Sequence, residues 1–139
     1  TGYTRSIMER VLPLAKAQGY EPDCLVCADD MHCGRPSPMN MYRCFIDLDV
    51  WPASAVIKVD DTEPGIAEGV AAGCVTIGVA LSGNAVGKTP QELAAMSADE
   101  VAPLRERATA LLKGAGAHHV IDTVADLPAL VDKLEVENA

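Results

Sequence analysis

Apolar positions along the chain alternate between helical spacing and short unbroken runs. Between Thr4 and Gln18 they recur every three or four residues, and Gly19 follows as a natural helix stop. The runs CLVCA (24–28), SAVIKVDD (54–61) and CVTIGVAL (74–81) are too short for helices. Runs of this length and apolar character are typical of strands inside a sheet.

Helical patterns separate these predicted strands. Ser37 is a suitable N-cap with Pro38 at the first helical position, and the apolar residues of SPMNMYRCFIDLD fall on one face. Another helix is predicted to begin at Pro64 and to end at Gly73. Strands that alternate with helices at this spacing predict a parallel sheet joined by crossover helices.

Two capping boxes mark the next part of the chain. Thr89 with Glu92 opens a short helix, and Ser97 with Glu100 opens a longer helical segment. Because proline lacks the amide that an interior helical position needs, Pro103 is expected to kink or divide that segment.

A final strand and helix complete the pattern. HHVID (118–122) predicts a late edge strand, and the apolar spacing over residues 127–134 predicts a closing helix. The chain has neither an internal repeat nor a linker rich in proline, glycine or serine. We therefore expect one α/β domain over residues 1–139, a three-layer, Rossmann-like fold with a parallel sheet.

Charge and hydropathy narrow the class of protein. The net charge is −9, from 20 acidic against 11 basic residues, and no lysine or arginine cluster stands out. A nucleic-acid partner is not expected, because such binding requires cationic groups that displace phosphate counterions. No apolar run reaches the ~18 residues of a membrane span, and no signal-peptide pattern is present. We expect a cytoplasmic protein without a membrane anchor.

The five cysteines allow two interpretations. Cys24 and Cys27 form a C-x-x-C, a spacing found in zinc and redox sites. On a strand, however, residues three apart point to opposite faces, and the chain has no second C-x-x-C. These cysteines are therefore more typical of a reduced protein core than of a metal site.

Polar residues follow each predicted inner strand. They are ADD after the first, DDTEPG after the second and SGN after the third. In open parallel sheets, ligands bind beyond the carboxyl ends of the strands. Asp60 and Asp61 suit a hard cation such as Mg²⁺, which prefers oxygen ligands. Capping of the following helix by one of these carboxylates is an equally good interpretation.

Two further positions could contact an anion. Arg35 is a lone basic residue in a loop before a predicted helix, where its planar donors could hold a phosphoryl group. Thr1 supplies a hydroxyl next to the N-terminus of the first helix, where backbone amides favour negative charge. The alternatives are an ordinary surface arginine and a threonine without a role.

The order of these residues resembles the haloacid dehalogenase superfamily of phosphoryl-transfer enzymes. The segments TGYTR, GRPSPMNMY, IKVDDTEPGIAEGVAAG, IGVALSGN and GAHHVIDTVADLP are similar to phosphonoacetaldehyde hydrolases. The resemblance covers essentially all 139 residues but only the C-terminal half of such an enzyme. It implies an incomplete core domain that lacks the first, central strand and the cap domain, with TGYTR as the remnant of a phosphate-binding loop.

The resemblance implies roles for the polar residues. The Thr1 hydroxyl would hold a phosphoryl oxygen, the Gly2 amide would support it, and Tyr3 would lie beside the substrate. Arg35 would stabilise the phosphoryl charge and orient the nucleophile, so Thr1 and Arg35 are the catalytic candidates.

The resemblance also implies Mg²⁺ as the cofactor. Asp61 would be its ligand, and Asp60 would be a neighbouring or outer group. Many superfamily members carry another acid four residues later, where this chain has Gly65. Water or groups elsewhere would then complete the coordination.

The implied reaction cleaves the C–P bond of phosphonoacetaldehyde to acetaldehyde and phosphate. A cap lysine forms a Schiff base with the aldehyde, and an aspartate attacks phosphorus. Both residues belong upstream of Thr1, so we expect this chain alone to be inactive. An absent central strand would leave unpaired backbone groups, which predicts self-association or a homodimer. The alternatives are a different phosphatase or phosphomutase of the superfamily, and a non-catalytic binding or assembly module.

Overall fold

In a computed structural model that describes residues 1–137, the strands pair in one parallel sheet. They are β1 (Ile57–Asp60), β2 (Val75–Val79) and β3 (His119–Ile121), in the spatial order β1-β2-β3. Both pairings are parallel, as the alternation of strands and helices predicted. Within the described residues, β1 and β3 are the edges, which confirms the predicted edge strand near residue 120.

Six helices accompany this sheet within the same range. They are α1 (Arg5–Ala17), α2 (Met39–Leu48), α3 (Glu63–Ala72), α4 (Pro90–Ala94), α5 (Ala98–Gly114) and α6 (Leu127–Glu137). Short 3₁₀ turns at Ala53–Ala55 and Val124–Asp126 precede β1 and α6. Among residues 1–137, no helix combines the length and the apolar character needed to cross a membrane.

Helices α3 and α5 cover one face of the sheet. In the β1–β2 register, Lys58 lies opposite Thr76 and Asp60 lies opposite Gly78, so these four positions are on the face that α3 and α5 cover. A Cβ on Gly78 would lie 3.0 Å from the side chain of Leu112, so glycine at this position permits the close approach of α5. The core cluster on this side comprises Ile66, Ala80, Ala108, Leu112 and Ala117.

The opposite face of the sheet is near α6. Ile57 and Val75 point to that face, and together with Val131 and Leu134 of α6 they line a common cavity. Helices thus lie on both sides of the sheet, as expected of a three-layer α/β fold.

The predicted capping boxes both form. The Thr89 hydroxyl accepts from the Glu92 amide at 3.2 Å, and Glu92 accepts from the Thr89 amide at 2.7 Å. Ser97 and Glu100 make the same pair of bonds, at 3.3 and 2.8 Å. The expectation that Pro103 divides the following segment is wrong, since α5 continues to Gly114. Burial of its apolar face against the sheet stabilises the helix despite the missing amide.

The prediction of a strand over residues 24–28 is wrong. These residues pair with no strand, although Val26 and Cys27 are buried. Their ladder bonds are replaced by contacts with the first residues of the chain: Thr1 N donates to Val26 O at 2.8 Å, and Ala28 N donates to Tyr3 O at 2.9 Å. A cavity separates the segment from β1, so the strand ladder has no partner there.

Ser37 does not cap α2, contrary to the prediction. Helix α2 begins at Met39 and has no side-chain N-cap. The Ser37 amide instead donates to the Gly34 carbonyl at 3.1 Å, which closes a turn immediately before the helix.

His118 connects β3 to β2. Its Nδ1 accepts from the Thr76 amide at 3.0 Å, and its own amide donates to the Thr76 carbonyl at 2.9 Å. The buried Thr76 hydroxyl lies 2.7 Å from the same Nδ1 and donates to Gly116 O at 3.0 Å. His118 therefore has a structural role, and His119 is a half-buried residue of β3.

The α5 contact with the sheet gives a direct test of the fold. We expect Leu112→Ala to lower the free energy of unfolding by about 3 kcal/mol, because it removes a buried side chain and leaves a cavity. Leu111→Ala, one residue earlier on the exposed side of α5, should lower it by less than about 1 kcal/mol. Urea unfolding followed by circular dichroism measures both, and equal losses would contradict this packing.

Candidate functional site

A cleft of about 590 Å³ lies at the carboxyl end of β1. It brings together every site residue proposed from the sequence, and its lining comprises Thr1, Gly2, Tyr3, Arg35, Lys58, Val59, Asp60, Asp61, Thr62 and Asn84. Four separate parts of the chain meet here: the first residues, the loop before α2, the β1–α3 junction and the loop after β2. The last two follow strands of the parallel sheet, whose carboxyl ends lie on the same side. The first residues are held instead by backbone bonds to Val26 and Ala28.

Four charged side chains form a closed ring beside this cleft. Arg35 Nη1 and Lys58 Nζ lie 3.0 and 3.1 Å from Asp60 Oδ2. Arg35 Nε and Lys58 Nζ lie 3.0 and 3.1 Å from Glu68 Oε2. Each cation therefore contacts both carboxylates, and each carboxylate contacts both cations. We call Arg35, Lys58, Asp60 and Glu68 the charge ring.

The charge ring is largely removed from water. The exposed fraction of the Glu68 side chain is 1%, that of Asp60 is 8% and that of Lys58 is 11%. Arg35 is more open, at 21%, and lies at the cleft surface. The contact between Arg35 Nε and Glu68 is an ion pair by distance, but its angle is not that of a hydrogen bond.

Asp60 has partners on both of its oxygens. Besides the two cations at Oδ2, its Oδ1 accepts from the Thr62 amide at 3.0 Å and from the Thr62 hydroxyl at 2.8 Å. Burial alone would raise the pKa of the Asp60 carboxyl, but Lys58, Thr62 and Arg35 outweigh burial and hold the pKa below its usual range. Asp60 is thus a carboxylate held by Lys58, Arg35 and Thr62.

Neither aspartate caps α3, although the sequence left that interpretation open. Thr62 is the N-cap, and its hydroxyl accepts from the Gly65 amide at 3.2 Å. Gly65 has a second role, because a Cβ at this position would lie 2.0 Å from Asp60 Cγ. The absence of a side chain at residue 65 is what allows the Asp60 carboxylate to lie against α3.

Asp61 is the carboxylate that suits a metal ion. Its Oδ2 accepts from the Asn84 amide at 2.7 Å, and no ion pair involves it among residues 1–137. Asp61 lines the cleft together with Thr1 and Arg35. One carboxylate with water and phosphate oxygens is a usual Mg²⁺ environment, so the residues present fit this ion.

Thr1 and Gly2 present donors to the same cleft. The Thr1 hydroxyl oxygen accepts from the Tyr3 amide at 3.2 Å, so its own proton can be donated to another group. Gly2 and Tyr3 are exposed at the cleft, next to the N-terminus of α1. This arrangement can bind an anion.

A second cavity, of about 360 Å³, lies behind the cleft, between residues 24–26 and β1. Arg35, Lys58 and Glu68 line it together with Asn40 and several apolar side chains. Arg35 Nε, Asn40 Oδ1 and Glu68 Oε1 are the buried side-chain atoms of residues 1–137 without a hydrogen-bond partner. All three therefore belong to residues that line this one cavity.

Two of the five cysteines are core residues, and Cys33 is exposed. All five are free thiols; Cys27 and Cys74 are buried, while Cys24 and Cys44 are half-buried. Burial, with a smaller effect of the nearby Cys24, raises the pKa of the Cys44 thiol to about 11. Cys27 lies near Asp29 and Asp30, but Asp30 is held by the Cys27 amide and by Arg5.

Three residues of this site were not predicted from the sequence: Lys58, Glu68 and Asn84. Lys58 could have been found, because residues 58 and 60 lie on the same face of a strand. Glu68 had a weaker signal, as a charged residue within an otherwise apolar helical pattern. Asn84 contributes its backbone amide, which no side-chain pattern indicates.

Comparison with known proteins supports the motif resemblance. The chain is 50% identical over all its 139 residues to the phosphonoacetaldehyde hydrolases of Paraburkholderia phytofirmans and Paraburkholderia xenovorans. It is 47% identical over 132 residues, 94% of its length, to that of Klebsiella pneumoniae. It covers 52% of the first two relatives and 49% of the third. No protein-family model matches the chain.

Solved structures show the same fold. A phosphonoacetaldehyde hydrolase-like protein from Oleispira antarctica matches with a TM-score of 0.92 and 44% identity, over 96% of this chain and 48% of that one. A haloacid dehalogenase-like protein of unknown function from Agrobacterium tumefaciens matches with a TM-score of 0.70 and 21% identity, over 96% of this chain and 52% of that one. The chain is thus a homologue of phosphonoacetaldehyde hydrolases with a haloacid dehalogenase-like fold, spanning about half their length.

The contact between Gly65 and Asp60 can be tested by paired substitutions in helices. We expect Gly65→Ala to lower the free energy of unfolding by about 2 kcal/mol or more, because the new methyl group displaces a carboxylate of the charge ring. Gly114→Ala in α5, where no atom lies within 4 Å of the added Cβ, should raise it by about 0.5–1 kcal/mol. Thermal unfolding distinguishes the two, and a stabilising Gly65→Ala would disprove the contact.

Proposed function

We propose that this chain forms the phosphoryl-binding part of a phosphonoacetaldehyde hydrolase. The observation that carries the proposal is the convergence of Thr1, Gly2, Arg35 and Asp61 in one cleft. A hydroxyl, a backbone amide, a guanidinium and a carboxylate are the groups that a phosphoryl group and its Mg²⁺ counterion require. The homology over the whole chain supports the same conclusion.

Each residue then has a definite task. The Thr1 hydroxyl and the Gly2 amide donate to phosphoryl oxygens. Arg35 donates from Nη2, because its Nη1 and Nε contact Asp60 and Glu68. Asp61 would hold Mg²⁺, which when bound neutralises charge on the transferring group. Because these donors are fixed before substrate binds, they stabilise developing charge without reorganisation.

Cleavage of a C–P bond needs more than this cleft supplies. The departing carbon requires an electron sink, and in the proposed reaction an amine supplies it by forming a Schiff base with the aldehyde. Lys58 is the lysine in the cleft, and its ammonium is paired with Asp60 and Glu68. Because two carboxylates hold this amine, we do not assign the Schiff base to Lys58. We also do not assign the nucleophilic aspartate to this cleft, because Asp60 belongs to the charge ring and Asp61 is the proposed metal ligand.

We further propose how the chain associates. Among residues 1–137, no strand pairs with the side of β1 that faces away from β2. The second cavity lies beside that edge, with apolar residues and unpartnered polar atoms in its walls. An unpaired strand edge recruits another chain, and we propose a second copy of this chain as its occupant when no other polypeptide is available.

The activity can be tested by complementation. We expect the chain alone to release no acetaldehyde from phosphonoacetaldehyde in the presence of Mg²⁺. Mixing it with the N-terminal half of the Paraburkholderia xenovorans enzyme should restore the release of acetaldehyde. The release is monitored through the enzymatic reduction of acetaldehyde with NADH. In the mixture, Arg35→Ala should lower the rate about 100-fold or more, because a charged donor to the transition state is lost.

Arg43→Ala provides the matched control, since Arg43 is an exposed arginine paired with Asp47 on α2. Its rate in the mixture should stay close to that of the parent chain. Activity of the chain alone, or equal rates for the Arg35 and Arg43 variants, would contradict the proposal.

Self-association is tested separately by light scattering on a size-exclusion column. We expect the chain alone to elute as a dimer or larger species whose mass increases with concentration. Addition of the relative's N-terminal half should replace that species with a one-to-one complex, because both occupants use the same edge of β1. A chain that remains monomeric at all concentrations would overturn this proposal.

A further inference from the structure

We propose that Glu68 is a positioning residue that holds the guanidinium of Arg35 in its phosphate-binding orientation. This inference rests on the proposed role of Arg35 as a phosphoryl ligand and goes beyond it. Glu68 lies on α3, outside the cleft, and lines the second cavity rather than the first. It therefore acts through Arg35 and does not contact the substrate.

The geometry identifies which nitrogens of Arg35 are committed. Nε faces Glu68 Oε2 at 3.0 Å, and Nη1 faces Asp60 Oδ2 at 3.0 Å. A guanidinium is planar, so the contacts at Nε and Nη1, which lie on different edges of the group, together determine the direction of the remaining nitrogen, Nη2. Arg35 lines both the cleft and the second cavity, which places its guanidinium across the wall between them.

Glu68 is itself held in place. Its side chain is 1% exposed, and its Oε2 contacts Lys58 Nζ at 3.1 Å as well as Arg35. Burying a carboxylate is costly unless cations surround it, and Lys58 provides the second cation. Lys58 thus holds the Glu68 carboxylate in place, and Glu68 in turn contacts Arg35. An arginine in a loop would otherwise lose side-chain entropy on binding an anion.

Simple electrostatics predicts the opposite effect of removing Glu68. A negative charge near a phosphate site disfavours phosphate, so its removal should tighten binding if charge alone matters. If Glu68 positions Arg35, its removal should weaken phosphate binding despite the gain in net positive charge. The sign of the change therefore separates the two explanations.

The experiment measures binding of inorganic phosphate to this chain by isothermal titration calorimetry, with folding checked by circular dichroism. We expect Glu68→Gln to weaken phosphate binding about tenfold, because the ion pair that holds Arg35 in its orientation is lost. The matched control is Glu63→Gln, an exposed acid on the same helix, which should bind as the parent does or slightly more tightly. Unchanged or tighter binding by a folded Glu68→Gln chain would overturn the inference.

A double-mutant cycle with Arg35 distinguishes positioning from a merely structural effect of the Glu68 substitution. In an Arg35→Ala background, Glu68→Gln should cause no further loss of phosphate affinity, because the residue it positions is gone. A further tenfold loss in that background would show that Glu68 acts on the site by another route, and the inference would fail.

A measurement on the unsubstituted chain covers the case in which Glu68→Gln does not fold. The Nε–H signal of Arg35 in a ¹H–¹⁵N spectrum, assigned by its disappearance in Arg35→Lys, should exchange slowly with water because Nε is buried when the guanidinium is held in this orientation. The signal of the exposed Arg43 should exchange fast. Equal, fast exchange of both would contradict the inference. A parent chain that binds no phosphate but protects the Arg35 signal would refute the proposed function and leave the positioning of Arg35 standing.

Discussion

The charge ring is the constraint on which the rest of this structure depends. Arg35 comes from a loop, Lys58 and Asp60 from β1, and Glu68 from α3, so the ring joins three parts of the chain. Each of these ions loses several kcal/mol of hydration on burial, and only the opposite charges around it offset that loss. The four side chains must therefore be present together, and the elements that carry them are held in one arrangement.

The charge ring also explains why two adjacent aspartates have different roles. Neighbouring residues at the end of a strand point to opposite sides, so Asp60 and Asp61 cannot share one environment. Asp60 turns toward α3, where Gly65 leaves room for it and the cations hold its pKa low. Asp61 turns to the cleft and meets the Asn84 amide. One carboxylate is therefore used to build the site, and the other is available for a cation.

Local patterns predicted much of the fold and the identity of the cleft residues. The capping boxes and the positions of β1, β2 and β3 follow from spacings of a few residues, which the sequence displays directly. The position of Asp61 beside the loop after β2 was also predictable, because parallel strands end at one edge. Arg35 was placed at the same edge through a strand over residues 24–28 that does not form. The apolar run at 24–28 led to a wrong strand prediction. A strand requires a pairing partner, and the sequence of one strand does not reveal whether that partner is present.

The pairing of Arg35 with Glu68 was beyond such patterns for a similar reason. It joins residues that are distant in the chain, and its energy comes from burial that only the assembled core provides. A lone glutamate in an apolar helix indicates that something compensates its charge but does not identify the partner. The same applies to Asp60, which the sequence offered as a metal neighbour and which the fold uses as a partner of two cations.

The second cavity and the cleft share residues of the charge ring. Unpartnered buried oxygens each cost roughly 1–3 kcal/mol, so Glu68 Oε1 and Asn40 Oδ1 favour an occupant that donates hydrogen bonds. The walls of the cavity are the unpaired side of β1 and an extended segment that pairs with no strand. Arg35 and Lys58 line both the second cavity and the cleft. The charge ring therefore forms part of the wall between them, and a change in the packing of the second cavity would also affect the residues of the cleft.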